Sequence, residues 1–279
     1  MHVFPVLPTA LLVLTLSMVS AFPAEEGEGI EQGPSGTEKA QLFHGMGNYH
    51  RDFSTENGEA AKFLVQAMVW LQAFNHDEAR RSFLKAAELD PRCAWAWWGV
   101  AYCEGPNYND PKPDDQRKKA GWYAIQNALA RREQASDVER ALIEALATRF
   151  ANPWPDDFSK LNKQYAKAMA RVWERFDNDP DVGSLYAEAL MQLRPWELYT
   201  KDRSPVEGTV LIRKTLDQVL KLDSDHPGAN HLFIHAVEPS ESPEDAEKAA
   251  RRLNTMVPVS GHLLHMPSHI YVQTGAWEE

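Results

Sequence analysis

The sequence predicts an all-α fold built as an array of paired helices. Two observations carry this. Ala79, Phe83 and Ala86 follow at intervals of four and three, Pro91 ends the unit, and the spacing recurs along the chain. From Leu42 onward apolar residues return at helical spacing, and no alternating pattern of useful length suggests a strand. Composition agrees: 43% hydrophobic and 25% charged residues can bury a core, so disorder is excluded for most of the chain. The net charge of −11 argues against a nucleic-acid partner, because binding phosphates needs collected cations.

In chain order, Met1–Ala24 holds no Lys, Arg, Asp or Glu, and Val6–Val19 is apolar, interrupted by Pro8-Thr9. Small residues Val19-Ser20-Ala21 follow, so residues 1–21 are expected to be a signal peptide and the protein secreted or periplasmic. An uncleaved signal acting as a membrane anchor is the alternative. The stretch falls short of the roughly 20 residues a spanning helix needs, and the mature chain offers no membrane span. Residues 22–41 are acidic, Gly-rich and poor in apolar residues, and read as a disordered linker.

Residues 42–279 then read as helix pairs. Glu59–Pro91 fits two helices, about 61–73 and 76–89, with Asn75 as a candidate N-cap. A unit starting at Ala94 carries Ala120, Ala124 and Ala128 on its second helix. The spacing from a small residue to a proline twelve on recurs at Ala168…Pro180 and Ala246…Pro258, and a further pair runs from Leu185 to Leu222. Pro-rich loops separate the members of successive pairs: 105–115, 152–158, 194–205 and 238–245. They hold Trp154 and Trp196, expected as local plugs rather than ligand contacts. Cys93 and Cys103 lie on one predicted helix, roughly 15 Å apart at 1.5 Å per residue, too far for a disulfide; two free thiols are expected.

These intervals resemble the tetratricopeptide repeat (TPR) family, most clearly at 59–91 and least around 130–165. The resemblance implies a right-handed solenoid of antiparallel helix pairs, with positions 2, 5, 9 and 12 of each repeat facing a concave groove that holds a peptide or protein segment. Tyr271, Gly275 and Trp277 resemble the opening of a further repeat, so the array is expected to be incomplete at its C-terminus.

On this phase, Trp95, Trp98 and Tyr102, with the apolar Met68 beside them, fall on the groove stripe, where they would suit an apolar peptide or simply fill the superhelix. His231, His235 and Glu238 fall on the stripe of one unit, and His262, His265 and His269 on that of the next. Five of the ten His thus meet on two adjacent helices. Imidazoles at i and i+4 can chelate one ion, so His231, His235, His265 and His269 are the expected metal ligands, with Zn or Cu as the ion. His262 is expected as a groove residue and Glu238 as a possible catalytic base on a metal-bound water. Such pairs are also met as structural residues, satisfied by carbonyls and carboxylates. Two functions therefore stand: an exported scaffold binding a peptide or protein in its groove, or a metalloprotein, catalytic or not, with a multi-His site in that groove. No hydrolase, nucleotide-binding or HExxH motif occurs.

Overall fold

The computed structural model describes residues 40–276. The expected signal peptide and all but the last two residues of the expected linker lie outside the described residues, as does Trp277. Among the described residues the regular structure is all helical, with no strand.

The first two helices, α1 (Gly58–Gln72) and α2 (His76–Leu89), match the predicted pair. Asn57 caps α1, and Asn75 accepts from the Glu78 N–H to cap α2, as its place before His76 predicted. Next come α3 (Ala94–Glu104) and α4 (Asp115–Arg131), separated by the first Pro-rich loop. The weakly patterned stretch around 130–165 forms α5 (Asp137–Ala147) and α6 (Ser159–Arg175); Ser136 and Glu139 close a reciprocal capping box on α5. Then follow α7 (Pro180–Met191), α8 (Thr209–Leu222), α9 (Pro227–Val237) and α10 (Glu247–Met256). Pro180 and Pro227 sit at the first helical turn, where a missing N–H costs nothing.

Each helix packs on its neighbours in sequence, and α1 touches α3, α3 touches α5, and α7 touches α9. The helix α1 also meets α9, far along the chain. Small residues permit the close approaches. A Cβ on Gly99 would overlap the Phe83 ring, and one on Gly183 would overlap Val219 and Trp173. Both Cys are free and buried, as their spacing required. No described helix is long and apolar enough to cross a membrane.

The sequence placed a single helix from Gly261 onward. The structure breaks it into α11 (Gly261–His265) and α12 (Ser268–Thr274). The cause is Pro267, which has no N–H to donate and whose ring collides with the carbonyl four residues back. The chain tightens across the break, with the His269 and Ile270 N–H groups bonding to Met266 and Pro267 oxygens three residues earlier.

A second feature absent from the sequence reading is the segment 40–57, which is not helical yet is woven into the array. The Phe43 N–H donates to the Gln66 Oε1 at 2.7 Å, and the Gly45 carbonyl accepts from Val259 N–H at 3.3 Å. Gly45 and Gly47 turn the strap at φ +79° and +77°, a region that favours glycine. Arg51 pairs with Asp179 and Asp181, and Ser54 bonds the Glu139 carboxylate on α5. Asp181 is the centre of this lacing: it accepts from Tyr49 Oη (2.9 Å), Arg51 (2.8 Å) and Gln72 (3.0 Å) and faces His226 Nε2 at 3.1 Å. Burial alone would raise its pKa, but His226 and Arg51 outweigh this and hold it at about 2.

Candidate metal centre

The helix α9 is buried on every face, so side chains that a surface helix would turn to water point inward here. His231 and His235, four residues apart on α9, are 0% and 2% exposed. His262, in the first turn of α11, is half-buried beside them. Nitrogens of these three rings lie within 4.8 Å of one another, the one such potential metal-ligating group among the described residues.

Hydrogen bonds fix which nitrogens are free. His231 Nδ1 lies 2.7 Å from the Gln72 carbonyl at the end of α1. His235 Nδ1 lies 2.9 Å from Glu238 Oε1. A carbonyl and a carboxylate only accept, so in the neutral rings the proton sits on Nδ1 and each Nε2 presents a lone pair. His235 Nε2 is buried and has no hydrogen-bond partner. His231 Nε2 lies 3.0 Å from His262 Nε2. Burial, and then the neighbouring His235 and His262, push the His231 pKa well down; burial and nearby imidazoles take His262 to about 4. His231 and His262 are therefore neutral near pH 7, the state a metal needs.

Glu238, which follows α9 directly, holds two imidazoles at once: Oε1 meets His235 and Oε2 meets His269 Nδ1 at 2.5 Å. Burial would raise its pKa, but these two contacts prevail and hold it below the ordinary carboxylate value. Both of its oxygens are thus engaged by Nδ1 groups.

Aromatic rings enclose the three His. Phe74 lies 4.4 Å from His231 and 5.9 Å from both His235 and His262, centroid to centroid. Trp196 and Tyr108, from two of the Pro-rich loops, lie 5.5 and 5.6 Å from His235 and 4.8 Å from each other. Phe74 and Trp196 both have left-handed backbones, φ +55° and +62°. Such strain costs about 1–3 kcal/mol per residue and gathers at functional sites. Trp196 is also 57% exposed, a partly exposed wall packed on Tyr108 and His235. No sequence signal pointed to Phe74, Tyr108 or the Gln72 carbonyl; Trp196 was visible as an aromatic in a Pro-rich loop.

The expected site is thus partly redrawn. His231 and His235 meet as expected, but their third companion is His262. His265, closing α11, and His269, across the Pro267 break in α12, face each other Nε2 to Nε2 at 3.0 Å, and the His269 ring also lies 6.3 Å from that of His235. The stripe expected on one helix is thus carried by two, with His262 and His265 on α11 and His269 on α12. The expected groove residues are filled in. Trp95 and Trp98 stack at 4.0 Å and are 1% and 0% exposed, Tyr102 bonds Glu188 at 2.8 Å, and Met68 is buried. These side chains are packed into the core between the helices. Trp154 packs on Phe150 and Phe158 as the local plug it was expected to be.

The chain matches no protein-family model, and no curated protein matches it.

Proposed function

We propose that the protein binds a transition-metal ion through His231, His235 and His262. The observation that carries this reading is the buried His235 Nε2, which has no hydrogen-bond partner and belongs to a cluster whose ring nitrogens lie within 4.8 Å of one another. An unpaired buried nitrogen costs free energy, and an ion repays it. Three imidazoles suit Zn²⁺ or Cu²⁺, and a three-His site leaves an open position for water or substrate. The hydrogen bonds from Nδ1 to Gln72 and Glu238 are the supporting contacts expected around metal-bound His. The ion would polarise whatever occupies the open position, and the Phe74 and Trp196 rings would keep bulk water away.

The scaffold on which this site sits is read as a TPR-like right-handed solenoid of antiparallel pairs, supported by the repeat intervals and by the packing of sequence neighbours. Export, supported by the apolar run Val6–Val19, belongs to the same reading. A peptide-holding role has less support, since the residues that would line its groove are buried.

The test is metal content of the full chain purified without a His tag and loaded with Zn²⁺ or Cu²⁺. The wild type should retain at least one equivalent after desalting and melt at higher temperature with metal. The His262→Ala variant, altered at the least buried ligand, should lose that response while keeping its helical circular dichroism. A wild type that retains no ion and whose melting ignores both metals overturns the proposal.

A further inference from the structure

Beyond the three-His site lies a second set of donors that the function above does not use. His265 closes α11 and His269 lies in the first turn of α12. Their Nε2 atoms are 3.0 Å apart. A tetrahedral ion with metal–nitrogen bonds of about 2.0 Å places its ligand nitrogens about 3.3 Å from one another, so this separation nearly matches one edge of a coordination shell. His269 Nδ1 is engaged by Glu238 Oε2 at 2.5 Å, which leaves its Nε2 as a lone pair facing His265. The backbone carrying the pair is also tied down. Gln273 Nε2 donates to the Glu238 carbonyl at 2.9 Å and to the His269 carbonyl at 3.0 Å, and Ser268 Oγ donates to the His265 carbonyl at 2.7 Å.

We infer that His265 and His269 form a second metal subsite, joined to the first by the Glu238 carboxylate, which orients one ligand of each. The proposal rests on the same reading of the cluster as a metal centre but concerns different ligand atoms. The two subsites differ in kind. The first has three His, two of them buried; the second has two His, with His265 exposed, and completes its shell with water. The ligand class is a divalent ion that accepts nitrogen donors: Zn²⁺, Cu²⁺ or Ni²⁺. With fewer protein ligands the second ion binds more weakly and exchanges faster. Because one carboxylate serves both sets, Glu238 is a positioning residue for two ions.

The experiment is a Zn²⁺ titration of the full chain against a chromophoric chelator, repeated with Co²⁺, whose absorption reports coordination. The wild type should take two equivalents, the second at least tenfold weaker. His265→Ala and His269→Ala, both altered outside the buried set, should each lose the weaker equivalent and keep the stronger. His262→Ala should weaken the stronger one and spare the other, and His50→Ala, at an exposed imidazole away from the cluster, should change neither. One equivalent in the wild type, unchanged in His265→Ala, overturns the second subsite and leaves the first standing. No binding at all overturns both. Two equivalents that persist in His265→Ala and His269→Ala also overturn the assignment.

Discussion

His235 donates from Nδ1 to the Glu238 carboxylate at 2.9 Å, while its other nitrogen, buried, bonds to nothing. The carboxylate determines which nitrogen is free. Replacing Glu238 with Gln keeps the shape and removes the charge that favours one tautomer. The expected outcome is a loss of about 10–100-fold in metal affinity, read by chelator competition, with unchanged helical content.

Trp196 holds a left-handed backbone and a largely exposed ring beside His235. Trp196→Gly relieves the strain and removes the wall. Stability should therefore stay within about 1 kcal/mol, since the lost ring contact and the relieved strain offset. Metal release to a chelator should become faster, as followed by stopped flow. A slower or unchanged release would show that the ring does not govern access.

Asp181 joins the segment 40–57 to α1 and the start of α9. Removing it leaves Arg51 and His226 buried without their partner, so Asp181→Ala should cost about 3–5 kcal/mol in urea unfolding. Its pKa, held at about 2, lies below the unfolded value of about 3.9. A depressed carboxylate stabilises the fold above the unfolded pKa, and this contribution fades as pH falls from about 4 toward 2. Acid unfolding of Asp181→Asn should lack that component.

His76 is buried with Nδ1 on the Phe74 carbonyl at 3.1 Å, and burial lowers its pKa to about 4. The unfolded chain takes up the proton near pH 6.5, before the folded one does. Stability of the metal-free protein should therefore be full above pH 6.5 and fall between 6.5 and 4. Urea midpoints across that window should decline less steeply in His76→Phe.

Gly99 lets α3 lie against Phe83 on α2 with no Cβ between them. Alanine improves helix propensity by about 1 kcal/mol but forces the ring to move. A net loss of about 1–3 kcal/mol in thermal or urea unfolding is expected.

Most helices could be read in the chain before any coordinates. Asn75 caps the helix it precedes, and Ala79, Phe83 and Ala86 form the buried face of α2. These features are local: a cap or a 3.6-residue stripe depends on neighbours within a turn or two. The stretch 130–165 was harder because its repeat intervals are loose. The strap at 40–57 could not be read, because it has no periodicity of its own and is ordered by partners more than 80 residues away, such as Asp181 and Glu139.

For the site, the sequence alone determined that imidazoles spaced by four residues share a helix face, which brought His231 and His235 together. Tertiary structure decided the rest. Packing of α1 against α9 carried the Gln72 carbonyl to His231, and Pro267 ended the helix that was meant to align His262, His265 and His269. Helical phase persists only while backbone hydrogen bonds continue, and a proline that cannot donate one resets the direction of every side chain beyond it.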